Sequence, residues 1–181
     1  MRFLRIGLPR VSRVVLVESG SRHLSDGVIP YLRRYFGENI QIDLVTCYTG
    51  LPAGLHPDST SVYHVHSYRG RDGRKRLYAE LRARKPAVLV IVCSGEPIMT
   101  KWKWALAFRL PAKVLIVNEN SDHFWCDRAS WRVIRRFAAV RAGLSGADAV
   151  RTVGQVLLFP FTLTYLLLYA AMIHLRRKVH L

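Results

Sequence analysis

Residues 87–118 read AVLVIVCSGEPIMTKWKWALAFRLPAKVLIVN. Two unbroken apolar runs, 87–93 and 113–118, flank a segment at 97–109 that carries a helical pattern. Strands covered on both faces lose the in-and-out alternation of a half-exposed strand, so both runs predict central strands. Pro97 suits the first turn of the helix between them. Two strands joined by a helix of this length are parallel neighbours, because a parallel pair needs a crossover rather than a hairpin.

The same alternation extends upstream. Short runs at 13–17 (RVVLV), 41–46 (QIDLVT) and 61–66 (SVYHVH) predict strands, and helical patterns occupy 23–36, 73–84 and 128–142. Ser25 and Asp26 are expected to cap the first helix and Gly37 to close it, while Pro86 separates helix from strand. Residues 48–59, with Gly50, Pro52, Gly54 and Pro57, read as a loop. The expectation is an α/β domain over residues 1–150, with a Rossmann-like parallel sheet of five strands and helices on both faces.

Downstream the chain changes character. Half of the 181 residues are hydrophobic although the formal net charge is +16, so apolar and charged residues are segregated. From Val153 to Leu175 there is no Asp, Glu, Lys or Arg. At 1.5 Å per residue, about 20 such residues cover the roughly 30 Å hydrocarbon layer. Residues 151–181 therefore read as a single-pass membrane anchor with a short basic tail. Pro160 should kink it, which membrane helices tolerate, and a re-entrant element that dips in and returns is the alternative to a full span. Arg132, Arg135, Arg136, Arg141 and Arg151 precede the span and Arg176, Arg177 and Lys178 follow it, so the larger positive count places the α/β domain on the cytoplasmic face. Arg10 and Arg13 interrupt the N-terminal region and leave no secretory signal. Cys47, Cys93 and Cys126 are odd in number and form no CxxC pair, which suits reduced, structural thiols.

In an open α/β sheet, ligands bind outside the carboxyl ends of the strands. Those ends here are Glu18, Ser19, Gly20, Ser21 and Arg22, then Ser94, Gly95 and Glu96, then Glu119 and Asp122. Four of only 12 acidic residues are thus expected at one edge, against 28 lysines and arginines. Carboxylates there suit a general base, acceptors for sugar hydroxyls or ligands for a hard cation, and the Ser/Gly loops suit phosphate at a helix N-terminus. Caps and arginine ion pairs are the structural alternative for the same acids. Neither glycine loop matches G-x-G-x-x-G and no G-x-x-x-x-G-K-[ST] occurs, so no nucleotide cofactor is expected. His64 and His66 share one face of a strand, but no third ligand is placed and no metal is expected.

Arginines cluster at 69–76, 82–85 and 128–141, with Trp102, Trp104 and Trp131 among or near them. Beside a hydrophobic anchor this pattern predicts contact with anionic lipid rather than nucleic acid.

The βα order over about residues 10–150, with a carboxylate directly after the first strand and glycine-containing strand ends, resembles the N-terminal, acceptor-side half of GT-B glycosyltransferases of the heptosyltransferase type. That resemblance implies Glu18 as catalytic base, Glu96 and Glu119 orienting a sugar or glycolipid acceptor in envelope synthesis, and Arg22 holding a phosphate. The donor-binding second domain of that family has no counterpart here, which implies a separate donor-binding partner or a non-catalytic scaffold that recruits other proteins.

Overall fold

A computed structural model describes residues 10–142 and 147–179, with the side chains of 147–153 and 174–179 excepted. The N-terminal part of the secretory-signal reading, residues 1–9, lies outside the described residues. Two compact units are present, Met1–Trp131 and Arg132–Leu181.

Among the described residues the first unit carries six strands, three α-helices and a short 3-10 helix at Val65–Tyr68: β1 (Arg13–Val17), α1 (Arg22–Phe36), β2 (Gln41–Thr46), β3 (Val62–His64), α2 (Gly70–Ala83), β4 (Val88–Cys93), α3 (Thr100–Arg109), β5 (Lys113–Asn118) and β6 (His123–Trp125). They form one sheet in the order β3-β2-β1-β4-β5-β6. Every pair is parallel except β5 with β6. The chain steps outward from β1 to β2 and β3, then crosses back to β4 on the other side of β1. The doubly wound α/β architecture is as expected, and β6 is an addition to it.

Alternation along the strands divides the core. Val14, Leu16, Val88, Val90 and Val92 pack with Leu24, Val28, Ile29 and Leu32 of α1. The alternate residues Val15, Val17, Leu89 and Ile91 are fully buried on the opposite face. Leu77 and Leu81 of α2 and Leu106 of α3 are likewise closed to solvent. Truncating any of these leucines to alanine costs about 2–5 kcal/mol, so the core holds the strand ends firmly in place.

Several boundaries move for identifiable reasons. The expected strand 61–66 stops at His64 because Val65–Tyr68 turn into a 3-10 helix. The helix expected from Pro97 begins at Thr100, after Met99 adopts a left-handed φ of 54°. Ser25 and Asp26 do not cap α1: Ser21 occupies the N-cap, Ser25 is buried, and Asp26 Oδ1 accepts a bond from the Ala53 amide. Gly37 does close α1, at φ 109°, with its amide bonded to the Arg33 carbonyl.

The second unit carries most of α4 (Trp131–Arg141) and all of α5 (Ala147–Val179). Within α5, Gly154–Ile173 has a mean hydropathy of 2.1 and no buried residue, so one helix is long and apolar enough to cross a membrane. Thr162 donates to the carbonyls of Leu158 and Phe159, and Thr164 to that of Pro160. Both hydroxyls are therefore satisfied inside the helix.

Candidate functional site

The reversal of strand order falls between β1 and β4, and in open α/β sheets the crevice at this point receives ligands. The β1 loop there is fastened on both sides. Ser19 Oγ donates to the Val92 carbonyl of β4 at 2.8 Å. Tyr48, just past β2, donates its hydroxyl to the Gly20 carbonyl at 2.9 Å. Arg22 Nη2 donates to the Thr49 carbonyl, and its guanidinium lies 5.9 Å from the centre of the Tyr48 ring.

Glu18 is the keystone of this network, and it faces inward. It has no exposed surface. Oε1 accepts from Arg22 Nε at 3.1 Å and Oε2 from Thr46 Oγ1 at 2.6 Å, while Thr46 Oγ1 accepts from the Tyr48 amide. Both carboxylate oxygens are thus engaged beneath the loop, away from solvent. The candidate base therefore sits under the β1 loop, where the hydroxyl at the β2 end holds it.

Gly20, Ser94 and Glu96 do come together at the crevice. Gly20 has φ 77°, and a Cβ there would lie 2.1 Å from Ser94 Oγ and 3.7 Å from Glu96 Oε2. Ser94 Oγ is buried without a hydrogen-bond partner, and Glu96 and Gly95 are exposed. Gly20, Arg22, Tyr48 and Thr49 line a cleft of about 270 Å³. Ser21 caps α1 without a side-chain bond, leaving the helix N-terminus open at this edge.

Glu119 and Asp122 follow β5, the next strand along, and neither lines that cleft. Asn118 organises their turn: its Oδ1 accepts from the amides of Asn120 and Asp122, and its Nδ2 donates to Asp122 Oδ2. Asp122 is thereby committed to its own loop, whereas Glu119 stays exposed. The four acids share an edge of the sheet, and of the three beyond Glu18 only Glu96 comes close to Gly20, one of the residues that line the cleft.

Two features escaped sequence reasoning. Lys103 of α3 is 3% exposed, and its charge lowers the Cys47 pKa, against burial, the larger effect, which pushes that thiol up on balance. Leu106 and Ala107, three and four residues on, mark the buried arc of α3 and were the available signal. Lys113 and Asp127 form a buried ion pair at 3.0 Å, joining the start of β5 to the chain beyond β6. Burial pushes Tyr48 upward as well, with Cys47 and then Glu96 among the contributing charges, so neither Cys47 nor Tyr48 is tuned as a nucleophile or base near neutral pH. No group of three potential metal ligands occurs among the described residues, and none of the cysteines is in a disulfide.

Comparison with protein-family models, curated proteins and solved structures finds no match.

Proposed function

We propose that this chain is a membrane-anchored, glycosyltransferase-like domain that binds a sugar or glycolipid acceptor in the crevice between the β1 and β4 loops. The α5 segment spans the bilayer, the α/β unit lies on the cytoplasmic side against anionic lipid, and a separate protein supplies any donor site. The observation that carries this reading is Ser94 Oγ, a buried hydroxyl without a partner, set against Gly20 and beside the exposed Glu96 at the switch point. An unpaired buried hydroxyl is costly, and a hydroxyl-rich ligand satisfies it while donating to Glu96.

The test is binding of sugars and lipid-linked sugars to the full chain in nanodiscs. Ser94→Ala and Glu96→Gln should each weaken binding about tenfold, the loss of one hydrogen bond to a buried or charged group, and leave the melting temperature in place. Absence of saturable binding to any sugar probe, or full affinity in both variants, would sink the proposal. A scaffold without catalysis is the second reading, and the burial of Glu18 favours it. If sugar transfer by a reconstituted complex survives Glu96→Gln as well as Glu18→Gln, no carboxylate beside Gly20 is the base.

A further inference from the structure

A second concavity lies away from the switch point, between the N-terminal turns of α2 and α3 and the 3-10 helix Val65–Tyr68. It encloses about 420 Å³, and its wall includes Arg69, Arg74, Lys101, Tyr68, Tyr78 and Trp102. Three cations meet there and no carboxylate lines it. Arg74 donates Nε to the Gly70 carbonyl. Among the described residues Arg69, Arg74 and Lys101 have no ion-pair partner. The nearby acids of α2 are engaged elsewhere, Asp72 with Lys75 and Glu80 with Arg76 and the Tyr68 hydroxyl.

The other half of the wall is aromatic and fixed. Tyr78 and Trp102 meet edge to face at 6.4 Å. Tyr68 is held by its 2.7 Å bond to Glu80 and lies under the Arg76 guanidinium. Burial, then the Glu80 bond, pushes the Tyr68 phenol up to about 12, so it brings no negative charge to the cavity. The corner is built on close approach: a Cβ on Gly73 would lie 2.6 Å from the Tyr68 carbonyl carbon, and Gly70 has φ 74°. Substitution at either glycine would displace the turn that presents Arg69.

Like charges gathered in a concave site repel one another unless an anion joins them. A single carboxylate leaves most of that charge uncompensated, whereas a phosphate monoester or a pyrophosphate ester carries about two negative charges and offers oxygens to guanidinium forks. The aromatic side suits the apolar face of whatever the phosphate esterifies. We propose that this cavity is a binding site for a phosphate or pyrophosphate ester, its charged head on Arg69, Arg74 and Lys101 and its organic part against Tyr78 and Trp102. The source of that group is either a soluble phosphate ester or a lipid headgroup.

Calorimetric titration of the full chain in phosphatidylcholine nanodiscs with inorganic pyrophosphate tests the site. Saturable binding is expected, and Arg74→Glu and Lys101→Glu, both at exposed side chains, should each weaken it about tenfold or more, as loss of a charge-assisted contact implies. Arg34→Glu on α1 should leave it unchanged. Nanodiscs containing phosphatidic acid separate the sources: a lipid headgroup in the cavity competes with pyrophosphate in the wild type but not in Lys101→Glu, and a soluble ligand's site shows no such competition. The proposal is overturned by absence of saturable binding, by wild-type affinity in both charge reversals, or by an equal loss in Arg34→Glu, which would reveal only a diffuse basic surface.

Discussion

Replacing Gly20 by alanine measures how closely the β1 and β4 loops approach. Gly20 sits at φ 77°, where a residue with a Cβ pays about 1–2 kcal/mol. The added methyl would also lie 2.1 Å from Ser94 Oγ and 2.6 Å from Ser94 Cβ, an overlap of the kind that costs about 1–3 kcal/mol in packed regions. Gly20→Ala should therefore destabilise by about 2–5 kcal/mol. For a chain of this size that lowers the melting temperature by roughly 4–20 °C. Ser94→Gly removes the obstructing side chain at about 0.5–1 kcal/mol of backbone freedom. In the double variant only the strain at φ should remain from the first change, giving a favourable coupling of about 1–3 kcal/mol. Thermal unfolding followed by near-ultraviolet circular dichroism, on the four proteins of the cycle, supplies all the terms. Strictly additive costs would show that the loops do not meet, and the crevice argument would fail with them.

Other outcomes are equally concrete. Burial raises the Asp127 carboxyl, but the Lys113 hydrogen bond and the Ser130 bonds outweigh it and hold the group below its ordinary value. Its stabilising contribution is thus present above the unfolded-state value of about 3.9 and is lost as pH falls through the lower folded value. Asp127→Asn should flatten that acid loss in melting temperature against pH, and at neutral pH cost about 3–5 kcal/mol by stranding a buried Lys113. An unchanged acid limb would assign it to other carboxylates. Glu18→Gln should cost about 1–3 kcal/mol while Glu96→Gln stays within about 0.5 kcal/mol, a contrast that chemical denaturation resolves and that equal values would contradict. Deleting residues from 153 onward should move the protein from the membrane pellet to the supernatant after a high-salt wash, and retention in the pellet would mean the anchor lies elsewhere. The truncated protein should bind anionic vesicles in preference to neutral ones, less so as salt rises. Equal binding to both would remove lipid charge from the account.

Periodicity and β-branched composition were enough to place the four longer strands, the start of the short edge strand β3 and the helices between them, because each run is local. The site was only half legible. Strand-end position told that Glu18, Glu96, Glu119 and Asp122 belong to one edge, but which way a carboxylate turns depends on partners far along the chain. Glu18 turns inward because Thr46, 28 residues away, donates to it. Strand β6 was missed because its three residues are too few for an alternating pattern, and its register rests on the Asn118 turn. Lys103 reads as a solvated cation within KWKW, yet the spacing of Leu106 and Ala107 places it against the sheet.

The sheet's two outer strands, Val62–His64 and His123–Trp125, are three residues long. On the proposed membrane-anchored reading, copies held to one bilayer would encounter each other at far higher effective concentration than in free solution. Under such crowding a long bare strand would be a template for neighbours to zip onto, and two stubs give little purchase for that. A companion protein, if the proposed function holds, would likewise gain little by donating a strand of its own, and its recognition would fall to side chains on helices and loops.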